Sequence, residues 1–147
     1  MMSALAENKK AYFDYEILEK IEAGIILNGQ EVKSIKLGRI NLKGTYVVPK
    51  DNEIHLIGSH IPPYQPKNVT DYDPDRKRKL LFKKKEMNYL IGKSKEKGLT
   101  LLPLKVYTRK GIIKVEVGIA RGKRKADKRE KIKKRDIDRD LQRSLKS

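Results

Sequence analysis

The chain contains no cysteine and no tryptophan. Without a thiol there is no disulfide, no thiolate zinc site and no cysteine nucleophile. Imidazoles are scarce as well: His55 and His60 lie five residues apart in a strand-like segment with no third ligand evident, so surface histidines are expected and a metal site is not. Two phenylalanines, Phe13 and Phe82, leave base stacking to seven tyrosines and to arginine planes. No apolar run approaches the roughly 18 residues of a membrane span. Met1-Met2-Ser3 carries no signal-peptide or lipidation pattern, so a cytoplasmic protein with no membrane partner is expected. There is also no Walker loop, no carboxylate cluster at metal spacing and no Ser-His-Asp set to assemble. Neither catalysis nor a cofactor is expected.

What is present in excess is positive charge. The 147 residues hold 36 Lys and Arg against 19 Asp and Glu, a formal net charge of +17. From Arg121 to the end the count is 13 against 5, and the first 120 residues hold 23 against 14. Two basic units follow, a body over residues 1–120 and a tail over 121–147. A basic chain of this kind carries the electrostatic footprint of a nucleic-acid binder, and an anionic membrane surface would attract it too. The tail has too few apolar side chains to offset its ordering entropy, so it is expected to be disordered when free. Its pairs Asp127/Lys131 and Glu130/Lys134 and its stripe Ile137, Leu141, Leu145 suit a helix that forms on a polyanion. A solvated solubility tail is the plainer reading.

The body reads as short strands. Period-2 patterning predicts strands over 12–17, 21–27, 42–48, 53–61, 99–107 and 112–119, with helices over 31–37 and 84–97. Gly24 inside the second strand suggests a bulge or a close backbone approach. Pro49-Lys50-Asp51-Asn52 and Thr108-Arg109-Lys110-Gly111 are hairpin turns. Four prolines make residues 62–75 a long loop. With hairpins and no βαβ alternation, the expected fold is mainly β, an antiparallel OB-like barrel with two or three short helices.

Three features stand out. Arg76-Lys77-Arg78-Lys79, closely followed by Lys83-Lys84-Lys85, suits several phosphates at once; a solvated corner is the alternative. Gly122-Lys123-Arg124-Lys125 reads as a swivel followed by three more cations. Glu22 is a carboxylate in an otherwise apolar strand. It is either an outward strand residue or an acceptor for an RNA 2′-hydroxyl or base amino group.

The blocks Asn8-Lys9-Lys10-Ala11, Glu22-Ala23-Gly24, Glu31-Val32-Lys33-Ser34, Arg76-Lys77-Arg78-Lys79-Leu80-Leu81 and the stretch ending in Asp127-Lys128-Arg129 resemble small protein B, the family of SsrA-binding proteins. The resemblance runs in order over nearly the whole chain. It implies an RNA-binding adaptor that delivers transfer-messenger RNA (tmRNA) to stalled ribosomes in trans-translation, its OB-like body holding the tRNA-like domain. The tail, disordered when free, would become helical in the small-subunit decoding centre and mRNA channel. RNA contacts would fall on Asn8, Glu22, Lys33, Ser34, Arg76, Arg78, Lys79, Gly122, Lys123 and Arg124. Ribosome-directed positions would be Asp127, Lys128, Arg129 and Ile137. Where many members have a tail aromatic, usually tryptophan, this chain has Ile137, which keeps an apolar contact without stacking. No metal or cofactor is implied, and a monomer is expected. A general structured-RNA-binding or ribosome-associated protein is the alternative.

Overall fold

The computed structural model describes residues 2–65 and 71–123. In chain order the elements are β1 (Met2–Glu7), α1 (Lys9–Asp14), β2 (Tyr15–Ile25), α2 (Gly29–Lys36), β3 (Tyr46–Lys50), β4 (Glu53–Ile57), β5 (Arg78–Leu81), α3 (Lys84–Ser94), β6 (Leu99–Arg109) and β7 (Ile112–Gly122). The strands form one antiparallel sheet in the order β1-β6-β7-β2-β5-β4-β3. The sheet curls far enough that β3, at one edge, comes back against β6. The mainly β, antiparallel body expected from the pattern is therefore present, with three helices.

Turn chemistry sets the hairpins. Asp51 and Asn52 both have positive φ (53° and 60°), as do Lys110 and Gly111 (52° and 78°). These two-residue turns match the twist of the strands they join, and Asp, Asn and Gly tolerate them best. Pro49 belongs to β3 rather than to the turn, pairing with Ile54, and an edge strand is where a residue without an N–H costs least.

Alternation puts Ala23, Ile54, Leu56, Leu80, Val115, Val117 and Ile119 into one core, closed by Ile35 of α2 and Leu90 of α3. A smaller cluster lies on the opposite face, where Ala11 of α1 packs on Leu102, Leu104 and Ala120. β6 serves both by alternation, and its register shift between Pro103 and Lys105 keeps Val106 on the side of Leu101, which an unbroken period of two would reverse. Leu101 and Val106 thus face one core while Leu102 and Leu104 face the other. The same bulge accommodates a proline in a central strand. On this face Gly118 of β7 leaves room for the Leu104 side chain of β6: a Cβ on Gly118 would lie 2.8 Å from the Leu104 Cδ1.

Several expectations are corrected. Residues 12–17 do not begin a strand; six residues form α1, capped by Asn8, before β2 starts at Tyr15. β2 is one long strand whose irregularity lies between Ile17 and Glu19. Gly24 marks a close approach, its would-be Cβ meeting the Leu81 Cβ at 3.3 Å. β1 and β5 were not foreseen, and β7 continues through Gly122.

One buried network fixes α2 and the 62–75 loop relative to the sheet. Asn28 and Glu31 form a capping box at the start of α2, and the Glu31 side chain is fully buried. Its Oε2 accepts from Arg78 Nε at 2.6 Å and its Oε1 from Arg76 Nη2 at 2.5 Å. Arg78 is fully buried as well and donates to Ser59 O (2.9 Å) and Pro74 O (3.0 Å). Burial alone would push the Glu31 carboxyl up, yet the Asn28 amide and the two arginines outweigh it and hold the group below its ordinary value of 4.5. Glu31→Gln is therefore expected to destabilise the fold by about 3–5 kcal/mol, because it strands the Arg78 charge. Urea unfolding measures the loss. A depressed carboxyl contributes stability above its unfolded value and loses that contribution as pH falls through its folded value. The variant should accordingly show a flatter stability curve below about pH 4.5 than the parent.

Candidate nucleic-acid interface

Strand periodicity turns Lys20, Glu22 and Gly24 away from the core residues Ile21 and Ala23. Register places Glu22 opposite Glu116 and Gly24 opposite Lys114 on β7, and Lys105 and Tyr107 opposite Glu116 and Lys114 on β6. The outer face of these three strands thus carries a polar cluster beyond the end covered by α1. Glu22 Oε2 accepts from the Tyr107 hydroxyl at 2.5 Å and from Arg109 Nη1 at 3.2 Å; Oε1 lies 3.4 Å from the same Arg109 nitrogen. The Glu22 side chain is 32% exposed. The Tyr107 hydrogen bond holds its carboxyl below the ordinary range, Arg109 adds to this, and partial burial works the other way. Burial and the Glu22 charge push the Tyr107 hydroxyl well above its usual value.

Two carboxylates directly opposite on neighbouring strands repel. Here Glu116 sits between Lys20 (3.9 Å) and Lys105 (3.8 Å), and Glu22 has Arg109. The result is a half-exposed, ionised acceptor in a strongly basic neighbourhood. That arrangement suits a hydroxyl or amino donor on a polyanion, while phosphates find the surrounding cations.

A cleft of about 120 Å³ lies at α1, lined by Asn8, Lys10, Ala11, Asp14, Tyr15, Gly44, Thr45, Tyr46 and Leu102. Asn8 is buried there. Its Oδ1 caps α1 through the Ala11 amide (3.3 Å) and its Nδ2 donates to Pro103 O (2.9 Å). At the other end of α1, Lys123 donates from its backbone to Asp14 O and from Nζ to Tyr12 O, both at 3.0 Å. Gly122 is a paired strand residue opposite Tyr15 and not a swivel, since the β2–β7 ladder holds it.

The cation run over 76–79 divides on β5 and its approach. Lys77 is exposed, Arg76 pairs with Glu31 and Lys79 with Glu53 at 3.1 Å. Arg78, expected to contact phosphate, faces inward and is used up by Glu31, Ser59 and Pro74. Ser34 is buried too, donating to Pro62 O at 2.5 Å. Lys33 is exposed, with its ammonium 5.4 Å from the Tyr64 ring centroid. Lys83, Lys84 and Lys85 are exposed. Arg124, Asp127, Lys128, Arg129 and Ile137 lie outside the described residues. Sequence reasoning missed Tyr107 and Arg109; the signal was present, because Lys105, Tyr107 and Arg109 alternate on the face shared with Lys114 and Glu116.

The family model described as SmpB protein matches residues 5–147. The chain belongs to the SmpB family. Similar curated members include the SsrA-binding protein of Carboxydothermus hydrogenoformans, 49% identical over all 147 residues and 99% of that protein. That of Sulfurihydrogenibium sp. is 51% identical over 97% of this chain and 93% of the relative. A chain of a solved structure described as "tmRNA-SmpB: a journey to the center of the bacterial ribosome" is 46% identical, with the match covering 86% of this chain and 93% of that one, and superposes with a TM-score of 0.69.

Within this SmpB-family fold Asn8 joins α1 to the β6 bulge by three polar contacts, its backbone N–H also reaching Leu104 O at 2.8 Å. Asn8→Ala removes the cap and the bond to Pro103, so a loss of about 1–2 kcal/mol is expected in thermal or urea unfolding of the RNA-free protein.

Proposed function

We propose that this chain is an RNA-binding adaptor of trans-translation: it binds the tRNA-like domain of tmRNA and delivers that RNA to stalled ribosomes, without catalysing a reaction itself. The observation that carries this reading is kinship at about half identity along the entire chain with proteins named for SsrA binding. The +17 charge supplies the electrostatic attraction that such a partner requires. In the body, Glu22 is the acceptor that reads a hydroxyl or amino group. Exposed Lys33, together with Arg76, Lys79 and Lys123, neutralises phosphates from the rim. The residues after Lys123 form the ribosome-directed unit, with Asp127-Lys128-Arg129 and Ile137 engaging the decoding centre and mRNA channel, and Arg124 near the junction meeting RNA phosphate; the 121–147 boundary expected from charge moves because β7 runs through Gly122.

The division of labour is testable. Filter binding of the tRNA-like domain, with an unrelated tRNA as competitor, should show preference for the former; equal competition would favour a general RNA binder. Glu22→Ala should weaken the complex by about 1–3 kcal/mol with little change in melting temperature. A chain ending after Lys123, which retains all of β7, should bind within roughly tenfold of the full chain, with the difference shrinking as salt rises. Replacing Asp127, Lys128 and Arg129 together should abolish peptide tagging on stalled ribosomes and leave RNA affinity nearly unchanged. Loss of affinity in that variant would place the tail in the RNA-binding surface instead.

A further inference from the structure

Glu22 is a more restricted acceptor than an exposed carboxylate normally is. A free carboxylate offers two oxygens and about four lone-pair sites, and can meet two parallel donors at once. Here Oε2 already accepts from the Tyr107 hydroxyl at 2.5 Å and from Arg109 at 3.2 Å, whereas Oε1 has a single long approach of 3.4 Å. Tyr107 is buried, 3% exposed, on β6, which is paired on both sides by β1 and β7. Its ring therefore cannot swing away, and its hydroxyl holds one carboxylate oxygen against the sheet. Arg109, by contrast, is more than half exposed, with 55% of its side chain open. It is free to turn towards a phosphate while Tyr107 keeps its place.

We propose that Tyr107 is a positioning residue for RNA recognition, locking Glu22 so that Oε1 alone receives a single donor, a 2′-hydroxyl or one amino hydrogen, rather than the paired donors of a guanine edge. The inference rests on the reading of Glu22 as an RNA acceptor. Tyr107 itself touches no RNA and acts only through the carboxylate. The groups facing Glu22 are Tyr107 and Arg109 from β6 and Lys114 from β7, with Glu116 opposite it in register. Of these only the Tyr107 hydroxyl is both buried and in hydrogen-bond contact. Its removal lets the carboxylate rotate and relaxes its hold on the ionised form.

The test is a double-mutant cycle on the full chain, with the tRNA-like domain of tmRNA as the probe. Tyr107→Phe keeps the ring and removes only the oxygen. It is expected to lower affinity about tenfold in the parent background, and to make binding fall off at a higher pH than the parent as the solution is acidified from 6 towards 4, through the ordinary carboxyl value of 4.5 below which Tyr107 helps to hold Glu22. In a Glu22→Gln background the same change should alter affinity less than twofold. An equal loss in both backgrounds overturns the proposal, since Tyr107 would then act on RNA or on the fold directly. Parent-like affinity and pH dependence of Tyr107→Phe overturns it as well. If Glu22→Gln binds as tightly as the parent, the Glu22 reading itself fails, and if the parent shows no preference for this RNA, the broader adaptor reading fails first.

Discussion

The buried pairing of Glu31 with Arg78 is the constraint on which the arrangement of this protein depends. A carboxylate and a guanidinium, each with no exposed surface, are held 2.6 Å apart, which is tolerable only if every remaining donor and acceptor is satisfied. The chain meets that condition with parts that do other work. Asn28 caps α2 with its side-chain oxygen and donates its backbone N–H to the Glu31 carboxylate, and the Ser59 and Pro74 carbonyls that take the rest of Arg78 belong to the segments around the long loop. One ion pair thus ties helix, loop and β5 together. Replacing it with apolar groups could preserve stability, but nothing apolar would specify this orientation of α2 so narrowly. The same pair removes a cation from the surface, so the basic face is shaped by which arginines the fold consumes.

A related economy governs the outer face of β2, β7 and β6. Glu22 and Glu116 oppose each other across the β2–β7 ladder, a contact that repels unless cations bracket it. Lys20 and Lys105 bracket Glu116, while Tyr107 and Arg109 take Glu22. Because Tyr107 is neutral, it holds the carboxylate without cancelling its charge. The surface therefore keeps a partly exposed carboxylate within a strongly positive field, and such a group adds directional recognition to attraction that is otherwise indifferent to sequence and shape.

Much of this was legible in the chain. Val115, Val117 and Ile119 alternate with Lys114 and Glu116 so regularly that β7 and its hairpin with β6 follow from periodicity alone, and Glu22 is visible as a charge among apolar neighbours. What escaped did so for physical reasons. β1 is built from Met-Ser-Ala-Leu-Ala-Glu, which has no β-branched residue and is a strand only because β6 offers it an edge. α1 is six residues long, too short for a helical period to show, and its cap Asn8 is supported by Pro103, 95 positions away in the chain. Arg76-Lys77-Arg78-Lys79 reads as one cationic block when its residues are counted, but a strand sends neighbours to opposite sides, and Arg78 found a buried carboxylate 47 positions earlier. Contacts at such separations leave no trace in local pattern.

The same reasoning explains why net charge describes this molecule less well than the distribution of unused charge. Of the cations in the body, Arg78 is internal, Arg76 and Lys79 are partnered by carboxylates, and Lys123 spends its ammonium on the end of α1. Lys33, Lys77 and Lys83-Lys84-Lys85 stay exposed. Exposed pairs such as Lys79 with Glu53 are worth about 1 kcal/mol or less, so a phosphate can recruit Lys79 at little cost. Arg78 cannot be recruited without leaving Glu31 buried and uncompensated. Residues adjacent in sequence and alike in charge therefore differ in what they can offer a partner, and the difference is set by the carboxylates that the fold has placed beside them.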